Sequence, residues 1–116
     1  MPKRKLDPLP SAAFQIMLSL VDKSRHGYGI MRQVADQTDS RMRLGPGTLY
    51  GSIQTLLEVG LIEEGDPGAN VKAGDERRKY YQLTSSGRQL LRAEAERLAD
   101  LLRVARAKKI LRGDYV

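Results

Sequence analysis

Leu44-Gly45-Pro46-Gly47-Thr48-Leu49-Tyr50-Gly51-Ser52-Ile53-Gln54-Thr55-Leu56-Leu57 is the stretch on which the fold turns. Pro46 suits a first helical turn, where its missing N–H has no intrahelical partner to lose, and Gly60 can take the left-handed conformation that ends a helix. Between them Leu49, Ile53, Leu56 and Leu57 share one face at helical spacing. That leaves Gly47, Thr48, Tyr50, Gly51, Ser52 and Gln54 on the other face or at its margin. A helix lying in the major groove of DNA must present small or hydrogen-bonding groups outward, because bulky apolar ones would stand between it and the base edges. This helix meets the demand: Gly47, Gly51 and Ser52 permit close approach, while Thr48, Tyr50 and Gln54 carry hydroxyl and amide groups. An ordinary amphipathic helix whose polar side faces water has the same pattern, so the neighbouring segments decide.

Upstream, the apolar residues Ala13, Phe14, Met17, Leu18, Leu20 and Val21 predict a helix from Ser11 to about Lys23 with one wide buried face. Gly27 and Gly29 interrupt the pattern as turn formers. Ile30, Met31, Val34 and Ala35 then restore helical spacing to about Thr38, and Asp39 to Arg43 reads as a turn. Downstream, Leu61 to Glu64 and Arg78 to Leu83 are candidate strands, and Gly65 to Arg77 between them makes a β-hairpin with a long tip. Lys72, Arg77, Arg78 and Lys79 gather on that loop and the strand leaving it, where phosphates are within reach, although Asp75 and Glu76 partly cancel them and a solvated charge run looks the same. Tyr81 and Leu83 share a face toward the core, with Tyr80 on the opposite side.

Thr84 is a good N-cap for a last helix from Ser85 to roughly Leu111, with Leu91, Ala95, Leu98, Leu102 and Ala105 alternating spacings of four and three. About two heptads fit a dimer seam or packing on the domain. The expected organisation is thus a basic arm over 1–8, a winged helix-turn-helix over 9–83 and a C-terminal dimerisation helix and tail over 84–116. The fold class is mostly α with a small β-hairpin.

Composition agrees. The 116 residues hold 20 Lys and Arg against 14 Asp and Glu, a net charge of +6 that favours a polyanionic partner. With no Cys, disulfides, thiol catalysis and thiolate metal sites drop out, and we expect neither a metal nor a cofactor. The single His26 has no partner His or carboxylate spacing around it and suits capping or packing, so no catalytic residue is expected. Gly45-Pro46-Gly47 lacks the Gly-Lys-Ser/Thr of a P-loop, yet an anion such as a DNA phosphate suits this helix N-terminus. Glu63 and Glu64, adjacent on a strand, point to opposite faces and form no acid-base couple. Leu6-Asp7-Pro8-Leu9-Pro10 stands where a signal peptide would be apolar, and no run approaches 18 apolar residues, so a soluble cytoplasmic protein without a membrane partner is expected.

The chain resembles the PadR family of winged-helix transcriptional regulators. The resemblance is carried by His26-Gly27-Tyr28-Gly29-Ile30, by Leu44-Gly45-Pro46-Gly47-Thr48-Leu49-Tyr50, by Glu58-Val59-Gly60-Leu61-Ile62 and by Arg78-Lys79-Tyr80-Tyr81-Gln82-Leu83-Thr84-Ser85-Ser86-Gly87-Arg88. It spans about Leu9 to Ala107 and implies a homodimeric repressor, joined through a single C-terminal helix, that binds a palindromic operator and is sometimes released by a small molecule. Gly47, Thr48, Tyr50, Gly51 and Gln54 are the residues we expect near base edges or adjacent phosphates. Arg25, Tyr28, Lys72, Arg77, Arg78 and Lys79 are expected on the backbone of double-stranded DNA. For a small-molecule effector the candidate cavity lies between the first and last helices, walled by Phe14 and Met17, which also suit plain core. The rival reading from another class is a winged-helix protein-interaction module without specific DNA binding.

Overall fold

The computed structural model describes residues 9–68 and 78–112. The basic arm over 1–8, Lys72, Arg77 and the tail after residue 112 lie outside the described residues. The elements run α1 (Ser11–Ser19), β1 (Arg25–His26), α2 (Gly27–Gln37), α3 (Pro46–Glu58), β2 (Ile62–Gly65), β3 (Tyr80–Leu83) and α4 (Ser85–Ala107). The fold is mostly helical with a three-stranded antiparallel sheet in the order β1-β3-β2.

α1 stops four residues before its apolar spacing predicts, because local groups satisfy its last carbonyls. The Ser19 hydroxyl donates to the Ile16 carbonyl at 2.6 Å, and Arg25 Nε donates to the Ser19 carbonyl at 2.7 Å. The buried stripe is Ala13, Ile16, Met17 and Leu20. Leu18 and Val21, expected on it, are exposed, and Ile16, which the expectation left out, has no exposure at all. Periodicity gives a face, but only packing fixes where that face is centred.

α2 and α3 form the helix-turn-helix. Asp39 and Ser40 both take positive φ in the turn that follows α2, and Thr38 secures this turn by accepting the Met42 N–H on its hydroxyl at 3.0 Å. In α3, Leu49, Ile53 and Leu56 are buried, and Gly60 ends the segment at φ 77°, as its sequence predicts.

The hairpin pairs Ile62 with Leu83 and Gly65 with Tyr80. β1 was not expected. It adds Arg25 opposite Tyr81 and His26 opposite Tyr80, so β3 becomes the central strand. Tyr80, Tyr81 and Leu83 are all buried, Tyr81 and Leu83 within the main core and Tyr80 against the His26 ring.

α4 is capped by the Thr84 hydroxyl, which accepts the Gly87 N–H at 3.0 Å and donates to the Gly60 carbonyl at 2.7 Å. It runs antiparallel to α1: Arg88 bonds the Val21 carbonyl near one end, and Glu94 accepts the Leu9 N–H at 3.1 Å near the other. From Ala95 to Ala107 the helix therefore continues past the first described residue of α1's approach, about 20 Å further. Leu91, expected in a dimer seam, is instead buried in the chain's own core, since it sits on the docked half of the helix.

Candidate nucleic-acid interface

α3 is held by its apolar face, which leaves its other side open. Gly47, Thr48, Tyr50, Gly51 and Gln54 are all exposed, and Cβ atoms built at Gly45, Gly47 or Gly51 would meet nothing within 4 Å. The Gln54 amide donates to Glu58 at 3.2 Å one turn on, an exposed bond easily exchanged for another partner. Gly45 provides no side-chain cap, so no cap side chain takes up the first N–H groups of α3 at the positive end of its dipole.

Beside α3 lies a cleft of about 580 Å³ lined by His26, Gly27, Tyr28, Tyr50, Arg78, Lys79 and Tyr81. β1, α2, α3 and β3 build it. His26 caps α2, its Nδ1 accepting the Gly29 N–H at 3.0 Å, which is the capping role its sequence context suggests. Its ring stacks toward Tyr28 at 6.5 Å and meets the edge of Tyr80 at 5.1 Å. From β3's approach, Arg78 comes to 3.5 Å from His26 Nδ1, and Lys79 pairs with Glu64 at 3.6 Å with both partners well exposed. Tyr50 leans in from α3. Burial, together with nearby Tyr50 and Glu64, pushes the Tyr81 phenol above its ordinary value, so it stays a neutral hydroxyl.

The expected DNA-facing residues therefore separate into two kinds. Tyr28, Tyr50, Arg78 and Lys79 come together around the cleft, next to the open face of Thr48, Gly51 and Gln54. Arg25 does not join them: its guanidinium is turned inward to the Ser19 carbonyl and Asp22, leaving 15% of its side chain exposed. Sequence reasoning missed Arg32, whose guanidinium lies 5.8 Å from the Tyr28 ring centroid. Its signal was the spacing of four from Tyr28 on a helix. Met17 is fully buried core and Phe14 packs against that core, so neither opens onto the described cleft. Among the described residues no group of His, Asp and Glu is placed to hold a metal, and no helix is long and apolar enough to cross a membrane.

A model of the transcriptional regulator PadR-like family matches residues 16–93, well over half of the chain. The chain belongs to that family. An uncharacterized protein of Lysinibacillus sphaericus is 31% identical to this PadR-like regulator, over 74% of this chain and 82% of its own. An uncharacterized 37.1 kDa protein in a Streptomyces fradiae transposon is 33% identical over 78% of this chain, which spans 24% of that relative. Among solved structures, a PadR family transcription regulator from Clostridium difficile superposes with a TM-score of 0.70 at 26% identity, covering 84% of this chain and 97% of its own. Bacillus subtilis PadR in complex with operator DNA shares the fold with a TM-score of 0.59 at 23% identity, over 75% of this chain and 47% of its own.

Proposed function

We propose that this PadR-like protein is a homodimeric DNA-binding transcriptional regulator that reads a palindromic operator and represses from it. The observation that carries the reading is the open outer face of α3, with Gly47, Thr48, Gly51 and Gln54 uncovered beside a cleft rimmed by Arg78 and Lys79. Uncharged hydrogen-bonding groups on that face suit base edges, and the flanking cations suit phosphates. A solved member of the family, PadR of Bacillus subtilis, is bound to operator DNA, which supports the same partner here. Two copies related by a two-fold axis would set their α3 helices into successive major grooves, with half-sites about 10 to 10.5 base pairs apart or a multiple of that. An operator-bound dimer blocks a promoter with no surface beyond those that bind DNA and its twin, so repression is the simplest mode of action.

The second copy is supported by α4. Helical spacing carries the stripe of Gly87, Leu91 and Glu94, buried in the chain, onward to Leu98, Leu101, Leu102 and Ala105. There Leu98 and Leu101 remain 37% and 51% exposed, with Val104 beside them at 49%. The seam so defined keeps Ala95, Leu98, Leu102 and Ala105 of the expected set, Ala95 being exposed and in line with Leu102, loses Leu91 to the core and gains Leu101.

Selection of bound duplexes from a random pool tests the sequence-specific binding and the palindrome. An enriched palindrome supports it, and a pool that stays unenriched refutes sequence-specific binding. A salt titration then divides the labour. Arg78→Ala should weaken operator and scrambled duplex alike and lower the slope of log affinity against log salt by about 0.9. Gln54→Ala should leave the slope nearly unchanged and cost about 1 to 3 kcal/mol of discrimination.

A further inference from the structure

Gly27 opens α2 without a positive φ, so nothing in its backbone demands glycine. Space does. A Cβ built there would overlap the Tyr50 hydroxyl and lie 2.8 Å from Tyr50 Cζ and 2.9 Å from Cε1, nearer than carbon atoms approach without something shifting. Tyr50 is thus only half free. About half of its surface is open, while the edge of its ring rests on the first residue of α2 and its phenol lies close enough to Tyr81 of β3 to help raise that group's pKa. One side chain of α3 therefore touches the N-terminus of α2 and faces the central strand that leads from the wing.

We infer that Tyr50 is a positioning residue: its ring, seated on Gly27 and facing Tyr81, clasps α3 to α2 and β3 and sets the angle at which the reading helix and the wing meet the duplex. This rests on the DNA-binding reading above and adds a bracing role to the expectation that Tyr50 lies near base edges or adjacent phosphates. The ring does the bracing, so the hydroxyl is dispensable and the methyl-sized gap at Gly27 is not.

The test is a double-mutant cycle on the full chain, read by thermal melting without DNA and by the ratio of operator to scrambled-duplex affinity. Gly27→Ala should lower the melting temperature and cut that ratio about tenfold, within the range for residues in contact. In a Tyr50→Ala background, Gly27→Ala should change neither quantity further, because the atom it strikes has gone. Tyr50→Phe should keep the wild-type ratio, which separates bracing from a hydroxyl contact to DNA. Additive effects of Gly27→Ala and Tyr50→Ala in the melts overturn the clasp. A tenfold loss in Tyr50→Phe overturns it in favour of direct contact. If the wild type selects no duplex, the DNA-binding reading fails and the angle-setting role with it, whereas the melts still decide the packing separately.

Discussion

Leu101→Asp is the perturbation that bears hardest on assembly. Leu101 leaves about half of its surface in water on the undocked part of α4. Full burial of a leucine contributes about 1.5 to 3 kcal/mol, so covering the exposed half contributes about 1 kcal/mol. A two-fold seam uses each residue twice, which makes about 2 kcal/mol, or roughly 30-fold in the dimer dissociation constant. The carboxylate adds a desolvation penalty, so this is a lower bound. Sedimentation velocity over a concentration series reads the constant directly. Ala93→Asp, exposed about two turns earlier on the docked half of the same helix, adds the same charge and should leave it unchanged. Operator affinity should fall with dimerisation, because a lone half-site lacks the effective concentration its twin supplies. An unchanged constant for Leu101→Asp, or an equal loss in Ala93→Asp, would refute the argument that the stripe continues from core to seam.

Two further outcomes concern how α4 is fastened to the domain. Gly87→Ala would drive a methyl into the Leu61 carbonyl, with the carbonyl carbon 2.9 Å away, while that same oxygen accepts the Thr84 N–H. The expected cost is at the upper end of about 1 to 3 kcal/mol, more than the alanine gains in helix propensity, so the melting temperature should drop several degrees and an unchanged value would disprove the close docking. Glu94 is buried, and its carboxyl is held below the ordinary 4.5 by the Arg97 guanidinium, opposed by burial and helped by the Leu9 N–H. A depressed folded pKa means that the stabilisation is complete above the unfolded value and is lost as pH falls through the folded one. Melting of the wild type should therefore fall between about pH 5 and 3 more steeply than that of Glu94→Gln, and parallel curves would show that the pair does not contribute.

Much of the fold was legible because it follows local rules. Pro46 and Gly60 bracket α3 by backbone preference, and Thr84 starts α4 with a hydroxyl that reaches Gly87. The hairpin followed from two β-compatible runs around a loop of turn residues. β1 was not legible. Two residues carry no alternation, and Arg25 and His26 become a strand only because Tyr80 and Tyr81 offer a partner more than fifty residues away. The end of α1 was missed for a related reason, since the Arg25 side chain that closes it comes from the next element.

The site divides along the same line. Exposure of Thr48, Gly51 and Gln54 was readable, because placing the apolar residues of α3 on one face fixes what the other must show. Which charged and aromatic residues act together was not, because that depends on where separate elements meet. Arg25 was expected on the DNA backbone, but its guanidinium is bound to a carbonyl of α1, and Arg32 counted for nothing until the helix placed it over Tyr28. Gly27 shows the limit most sharply. In sequence it is one of two glycines around a helix start, and turn formation accounts for both. In the fold its neighbour in space is Tyr50, twenty-three positions on, and the missing side chain makes room for a ring rather than for a bend. At Gly60 the glycine's reason lies in the backbone, whose φ is positive, and at Gly27, where it is not, in a contact. Only the second kind ties two distant motifs to one requirement, and such a requirement stays hidden until the two are seen touching.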